Sequence, residues 1–221
     1  MTSIRATGPL SVLLLAFALT SCASTPGANT PGATSTLTPA ETAPAERTAT
    51  ALVVGAEGFV VIDTDGAELL AHDWEDEPDG SVVAALDDYF GTAATVSSEP
   101  GDCCHMAPFD VYDWGGFQLR FALLDGEPRD TYFLPSTVTA TAADVHGIEI
   151  RTSGGLTVGS TVDRVLASAP YAHLEYEGIG YFYVNPSDDS SSGLTRTVLL
   201  TSGAGSSTVS GLTAPSSPDA P

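Results

Sequence analysis

The densest reactive chemistry in the chain is Cys103-Cys104-His105-Met106, where two thiols, an imidazole and a thioether stand in succession. Three readings of this tetrad are open. Residues joined by a trans peptide have Cα atoms about 3.80 Å apart, short of the usual disulfide span of about 4.4–6.8 Å. A vicinal Cys103–Cys104 disulfide would therefore be strained and redox-labile. Unbonded and buried, the same thiols would be inert. As ligands, thiolate, imidazole and thioether suit Cu(I) or Zn, which makes Cys103, Cys104, His105 and Met106 weak metal candidates. Consecutive residues rarely converge on one ion, and no second cluster supplies further ligands, so no metal and no cofactor is expected.

Acid–base chemistry is less focused still. Asp73, Glu75, Asp76, Glu77 and Asp79 precede a helical pattern, where carboxylates favour the positive end of the helix dipole. Asp63-Thr64-Asp65-Gly66 imitates a calcium loop for four residues and then departs from its spacing, so a hairpin turn explains it better. The histidines (His72, His105, His146, His173) are scattered. Neither Gly-x-Ser-x-Gly nor His-Glu-x-x-His nor Gly-x-Gly-x-x-Gly occurs. All seven basic residues are arginine, which excludes P-loop, Schiff-base and Ser–Lys chemistry. With 28 acids and a formal charge of −21, the chain would repel phosphate backbones, so no nucleic-acid partner is expected. Nothing here reads as an enzyme. Aromatics in strand-like segments offer recognition instead: Tyr112, Trp114, Tyr181 and Tyr183 are candidates for a binding surface.

The elements that would carry these residues divide the chain into four parts. Residues 1–21 read as a signal peptide, with Arg5 before an apolar run, Leu10–Leu19, too short to span a bilayer. Leu19-Thr20-Ser21-Cys22 follows, and it resembles the lipobox of bacterial lipoproteins. That resemblance implies lipidation at Cys22 and attachment to the cell membrane on its extracytoplasmic face. Residues 22–50 are rich in Thr, Pro and Ala and read as a disordered stalk. Residues 51–213 carry 25 acids against 5 arginines and read as one globular domain, with 214–221 a disordered tail.

Within the domain, 51–54, 59–63 and 67–73 read as strands joined by tight turns. Apolar spacing predicts helices over 81–90 and 161–169, the second opened by a Ser160-x-x-Asp163 capping box. Further strands are expected at 117–124, 131–138, 145–152, 180–184 and 195–201. Tyr112-Asp113-x-x-Gly116-Phe117 matches Tyr176-Glu177-x-x-Gly180-Tyr181 at an offset of 64 residues. Together these predict an α+β fold: an antiparallel sheet with two short helices on one face, in two tandem helix-strand-strand units at about 67–138 and 145–201. Gly159-Ser160-Thr161-Val162-Asp163 and Pro170 loosely resemble the helix start of the tandem units in beta-lactamase inhibitor proteins and small outer-membrane-assembly lipoproteins. The lipobox, stalk and acidic domain are similar in texture to uncharacterised lipoproteins of high-GC bacteria.

The expected role is a membrane-anchored, non-catalytic binding module of the cell envelope, with an envelope protein of unknown identity as partner. Two alternatives stand beside it: an inhibitor of a secreted enzyme such as a beta-lactamase or protease, and a metal- or redox-responsive protein using Cys103 and Cys104.

Overall fold

The computed structural model describes residues 47–76, 80–101, 108–123, 135–188 and 195–218. Cys22, the signal peptide, nearly all of the stalk and the Cys103–Met106 tetrad lie outside the described residues. No helix among the described residues is long and apolar enough to cross a membrane.

The first three strands, β1 (Ala49–Val54), β2 (Gly58–Asp63) and β3 (Glu68–Asp73), form an antiparallel meander. Their turns follow from side-chain chemistry. Asp63 Oδ1 accepts from the amides of Asp65 (2.9 Å) and Ala67 (2.8 Å), and Gly66 takes the left-handed conformation, so the calcium-like tetrad is a hairpin turn. At Gly58 a Cβ would lie 2.0 Å from the His72 carbonyl oxygen, which is why β2 begins on a residue without one.

Helix α1 (Ser81–Phe90) then carries the chain to β4 (Thr95–Glu99), β5 (Phe109–Asp113), β6 (Phe117–Ala122) and β7 (Ser136–Ala140). It buries Val82, Leu86 and Phe90 and ends at Gly91, whose left-handed φ of 67° lets the last turn close on the Asp87 and Asp88 carbonyls. β8 (Asp144–Val145) and β9 (Ile148–Thr152) return to the first sheet. Helix α2 (Val162–Ala167) leads to β10 (Ala172–Tyr176), β11 (Ile179–Asp188), β12 (Thr195–Ser202) and β13 (Val209–Ser216). Thr161 rather than Ser160 caps α2, accepting from the Arg164 amide; the Ser160 hydroxyl is occupied by the Thr157 amide.

These strands make two sheets, ordered β3-β2-β1-β9-β8 and β10-β11-β12-β13-β7-β6-β5-β4. All pairings are antiparallel except β1 with β9. The expected α+β fold is therefore corrected to a two-layer, sandwich-like β structure. The reason lies in what needs covering. The eight-stranded sheet turns Phe117, Leu119, Val138, Leu212, Leu200, Phe182 and their neighbours to one side, and all are buried. Two helices with three buried side chains and one cannot cover such a face, whereas a second sheet can. The helices lie instead on the two connections that pass from the smaller sheet to the larger.

The tandem-unit expectation is corrected with it. An order does recur, since each helix is followed by four antiparallel strands, and the two sets meet where β7 pairs with β13. In that order β4 and β10 are the equivalent edge strands. The 64-residue offset instead lays interior β5 on edge β10, so it aligned two similar hairpin turns, not two equivalent strands. The domain also exceeds its expected limits: β1 starts at Ala49, and β13 runs into the segment read as tail, as far as Ser216.

The layers meet at an aromatic node. Phe59 and His72 of the smaller sheet, with rings 5.3 Å apart, face Phe117 and Phe121 of the larger at 6.2 and 6.0 Å. Trp74 packs on both Phe59 and His72. Truncating a fully buried aromatic costs about 3–5 kcal/mol, because the cavity only partly collapses. Phe59→Ala is expected to lower the urea midpoint by that equivalent, while Val96→Ser on exposed β4 stays within about 0.5 kcal/mol of the parent. Equal midpoints for the two variants would contradict this account of the core.

Candidate functional site

The four expected surface aromatics divide into two groups. Trp114 is corrected to a core position, and Tyr112, half-buried, to the inner face against the core. Trp114 sits in the β5–β6 turn, packs on Phe90 and Phe117, and is 2% exposed. Its indole N–H needs an acceptor once buried, and Asp87 of α1 supplies one at 2.9 Å while also accepting from the Ala94 amide at 2.9 Å. Tyr112 stands opposite Leu119 on the inner face and packs edge-on against Phe121. Alternation along β5 decides this, because Asp113 takes the outer face beside Gln118.

Tyr181 and Tyr183 lie on the outer face of β11, half-buried. Opposite them on β10 are Leu174 and Ala172, and Tyr176 opposes Ile179. Leu174 (44% exposed) and Tyr176 (63%) thus continue the apolar strip to the sheet edge, with exposed Tyr171 just ahead of the strand. Elsewhere the same outer face is threonine-rich: Thr201, Thr213, Thr139 and Thr137. Sequence reasoning named Tyr176 among the strand aromatics but missed Leu174 and Tyr171. A signal was present: Glu177-Gly178 between Tyr176 and Ile179 is a two-residue hairpin turn, with φ of 52° and 79°.

A second candidate is a groove of about 570 Å³ between the β1–β2 turn, β3 and the irregular stretch of β11. Its polar rim is already committed to internal contacts. Asn185, with a left-handed φ of 54°, reaches Ser153, and Ser187 reaches Glu57. Glu57 also pairs with Arg196 at 3.6 Å, and Arg196 binds Glu75 at 2.6 Å, clamping β12 to two turns of the smaller sheet. Asp73 accepts from the Glu75 amide. Of the acid run, Asp73 and Glu75 therefore build a turn and a clamp, while Glu77 and Asp79 lie outside the described residues.

One Ser–His contact exists. His72 Nε2 lies 2.8 Å from Ser136 Oγ, and that hydroxyl donates to the Trp74 carbonyl at 3.3 Å. In this arrangement the imidazole donates to the serine instead of accepting from it, and Ser136 is fully buried, so the pair joins β3 to β7 and does not present a nucleophile. His173 stacks on Phe182 at 4.6 Å, and His146 lies in the β8–β9 turn. Among the described residues no three His, Cys, Asp or Glu side chains converge into a metal-binding group. No protein-family model matches this chain, and no curated protein or solved structure matches it.

Charge is distributed unevenly. Every arginine among the described residues has a partner: Arg47 with Asp63, Arg120 with Glu99, Arg151 with Glu149, Arg196 with its two glutamates, and Arg164 with the Gly155 carbonyl. Acids remain in large excess. The Asp113 carboxyl is held below the usual carboxylate range, chiefly by the Gln118 amide at 2.9 Å and then, against some desolvation, by the amides of Gly115 and Gly116.

Two measurements check this account. Asp87→Ala removes the acceptor of two donors, and the loss is expected at about 2–4 kcal/mol with altered tryptophan fluorescence. Asp113→Asn is expected to cost under about 1 kcal/mol at neutral pH, since the group is part-exposed. A lowered folded-state pKa contributes stability above the unfolded value of about 3.9 and loses it as pH falls through the folded value. The pH-dependent part of the gap between variant and parent should therefore vanish in acid; a gap unchanged from neutral pH down into acid would refute the assignment.

Proposed function

We propose that this protein is a lipid-anchored, extracytoplasmic binding module that performs no catalysis of its own and recognises a protein of the cell envelope. The location rests on the lipobox-like Leu19-Thr20-Ser21-Cys22. Two acyl chains would hold such a protein stably, and a domain with so many unpaired acids would stand off an anionic leaflet at the end of its stalk.

The binding role is carried by one observation. On a strongly acidic domain, Leu174, Tyr176, Tyr181 and Tyr183 form an apolar and aromatic strip at one end of the larger sheet's outer face. Tyrosine gives large contact area at low entropic cost and favours recognition of proteins. The same strip favours the second reading, inhibition of a secreted enzyme, although that reading loses the support of the tandem-unit fold. The redox or metal reading through Cys103 and Cys104 gains no observation among the described residues.

The experiment places a photo-crosslinking amino acid at Tyr181 and, as control, at Val96 on the opposite edge of the sheet, in the anchored protein in its own envelope. Adducts with another envelope protein from Tyr181 but not from Val96 are the expected result. No adduct, or identical adducts from both positions, would overturn the binding role. An adduct with a secreted hydrolase whose activity falls on titration would favour inhibition. In parallel, Cys22→Ala should abolish lipid labelling and release the protein from the membrane fraction; retained labelling removes the location.

A further inference from the structure

Among the described residues the last strand of the larger sheet on the tyrosine side, β10, pairs on one side only, with β11. Its register with β11 is regular from Ala172 to Tyr176. The backbone atoms that remain free can be assigned. Glu175 is opposite Gly180, but the Gly180 amide donates to Ser202 Oγ at 3.2 Å, on the far side of β11. Glu175 and Gly180 are therefore a non-hydrogen-bonded pair, and the Glu175 N–H and C=O point to the open edge. By strand alternation those of His173 do as well, while Leu174 gives its backbone to β11.

Exposed edges of this kind are templates for strand addition, and proteins usually blunt them with lysine, proline, bulges or short length. In the smaller sheet, edge strand β8 has two residues and edge strand β3 has an irregular register with β2. β4, at the other end of the larger sheet, is polar apart from Val96. β10 has no proline and a regular register, its one carboxylate, Glu175, lies on the inner-face side beside His173, and its sequence Ala-His-Leu-Glu-Tyr is self-complementary. An antiparallel pair with its twofold axis at Leu174 sets Leu174 against Leu174, His173 against Glu175 of the second copy, and Ala172 against Tyr176. The two His173–Glu175 pairs are the positions with free N–H and C=O groups, so they exchange backbone hydrogen bonds and bring an imidazole opposite a carboxylate. Leu174 falls at the closely spaced site, about 4.5 Å between Cα atoms. Shifting to the neighbouring registers that keep the free groups aligned would oppose His173 to His173, or Glu175 to Glu175, and so lose the complementarity.

We propose that two copies of this chain associate through β10, joining their larger sheets edge to edge with Leu174 set against its counterpart at the twofold axis and the outer-face Tyr181 and Tyr183 left open for the proposed envelope partner. What opposes this is net charge, because residues 51–213 carry 25 acids against 5 arginines in each copy. The repulsion is screened as the Debye length falls from about 10 Å at 0.1 M salt to about 3 Å at 1 M. Association between copies should therefore tighten with salt, whereas capture of an extended cationic peptide at the same edge would loosen.

The test is sedimentation velocity on the full mature chain carrying Cys22→Ala, so that acyl chains do not drive assembly, at about 0.05 M and about 1 M NaCl. A monomer–dimer equilibrium at least about tenfold tighter in high salt is expected. Leu174→Glu, at an exposed position, should abolish the dimer with an unchanged thermal midpoint. His173→Glu should weaken it, and His173→Glu combined with Glu175→His should restore it. A monomer at all concentrations and salts overturns the proposal, including the case in which that monomer binds an arginine-rich extended peptide. A dimer indifferent to Leu174→Glu, or one weakened by salt, overturns it as well.

Discussion

The structure depends on the contact between its two sheets. Phe59 and His72 on one side and Phe117 and Phe121 on the other are brought together because each sheet has an apolar face that only another broad face can cover. Once that contact forms, the helices become links between layers, and both tryptophans are drawn inward with their N–H groups in need of acceptors. Trp74 finds the Gly55 carbonyl and Trp114 finds Asp87. The burial of His72 is a consequence of the same contact. An imidazole placed between aromatic rings keeps its polar atom only if the opposing strand offers a partner, and β7 supplies Ser136 at that point. A serine and a histidine that suggest catalysis are here one strand-to-strand tie.

Charge works in the opposite direction from the core and on a different part of the molecule. With arginine as the sole basic residue, and each described arginine occupied locally, no cationic patch is left to balance the surface. The largest of these contacts, Arg196 between Glu57 and Glu75, is spent joining sheet to turn. The acids that remain favour solubility and impose a long-range repulsion on neighbours of like charge. Short-range apolar recognition and long-range repulsion thus occupy the same domain, and salt sets the balance between them.

Much of the local structure was legible in the residues. β1–β3, their turns and α1 lie within a residue or two of where periodicity places them, because apolar alternation there reflects a one-sided core. The fold class was not, and the missing strands explain why. β4 is exposed at every residue, so burial leaves no pattern in it. β10 is an edge strand with the same defect, and β13 contains glycine and proline that read as loop chemistry. With those three of the larger sheet's eight strands unseen, the helices were given a covering role. The site was misread by a related error: Trp114 and Tyr112 have the residue types of a recognition surface, but an acid on a distant helix holds Trp114 in the core and strand parity turns half-buried Tyr112 to the inner face.

The outer face of the larger sheet shows what distinguishes its tyrosine end. Thr137, Thr139, Thr213 and Thr201 occupy outward positions on three neighbouring strands, and threonine suits a solvated strand because its branched Cβ favours extended backbone while its hydroxyl remains in water. The same solution was chemically open at 174, 176, 181 and 183. Leucine and tyrosine stand there instead; for Tyr181 and Tyr183 the inner face of their own strand already buries Phe182 and Val184, and on β10 Leu174 and Tyr176 remain exposed. Folding stability therefore does not account for them, and exposing them costs solubility that the surrounding carboxylates must offset. An apolar strip retained under that cost, at an edge that among the described residues has a regular register, no proline and more than a single apolar side chain, is accounted for by what can be brought against it.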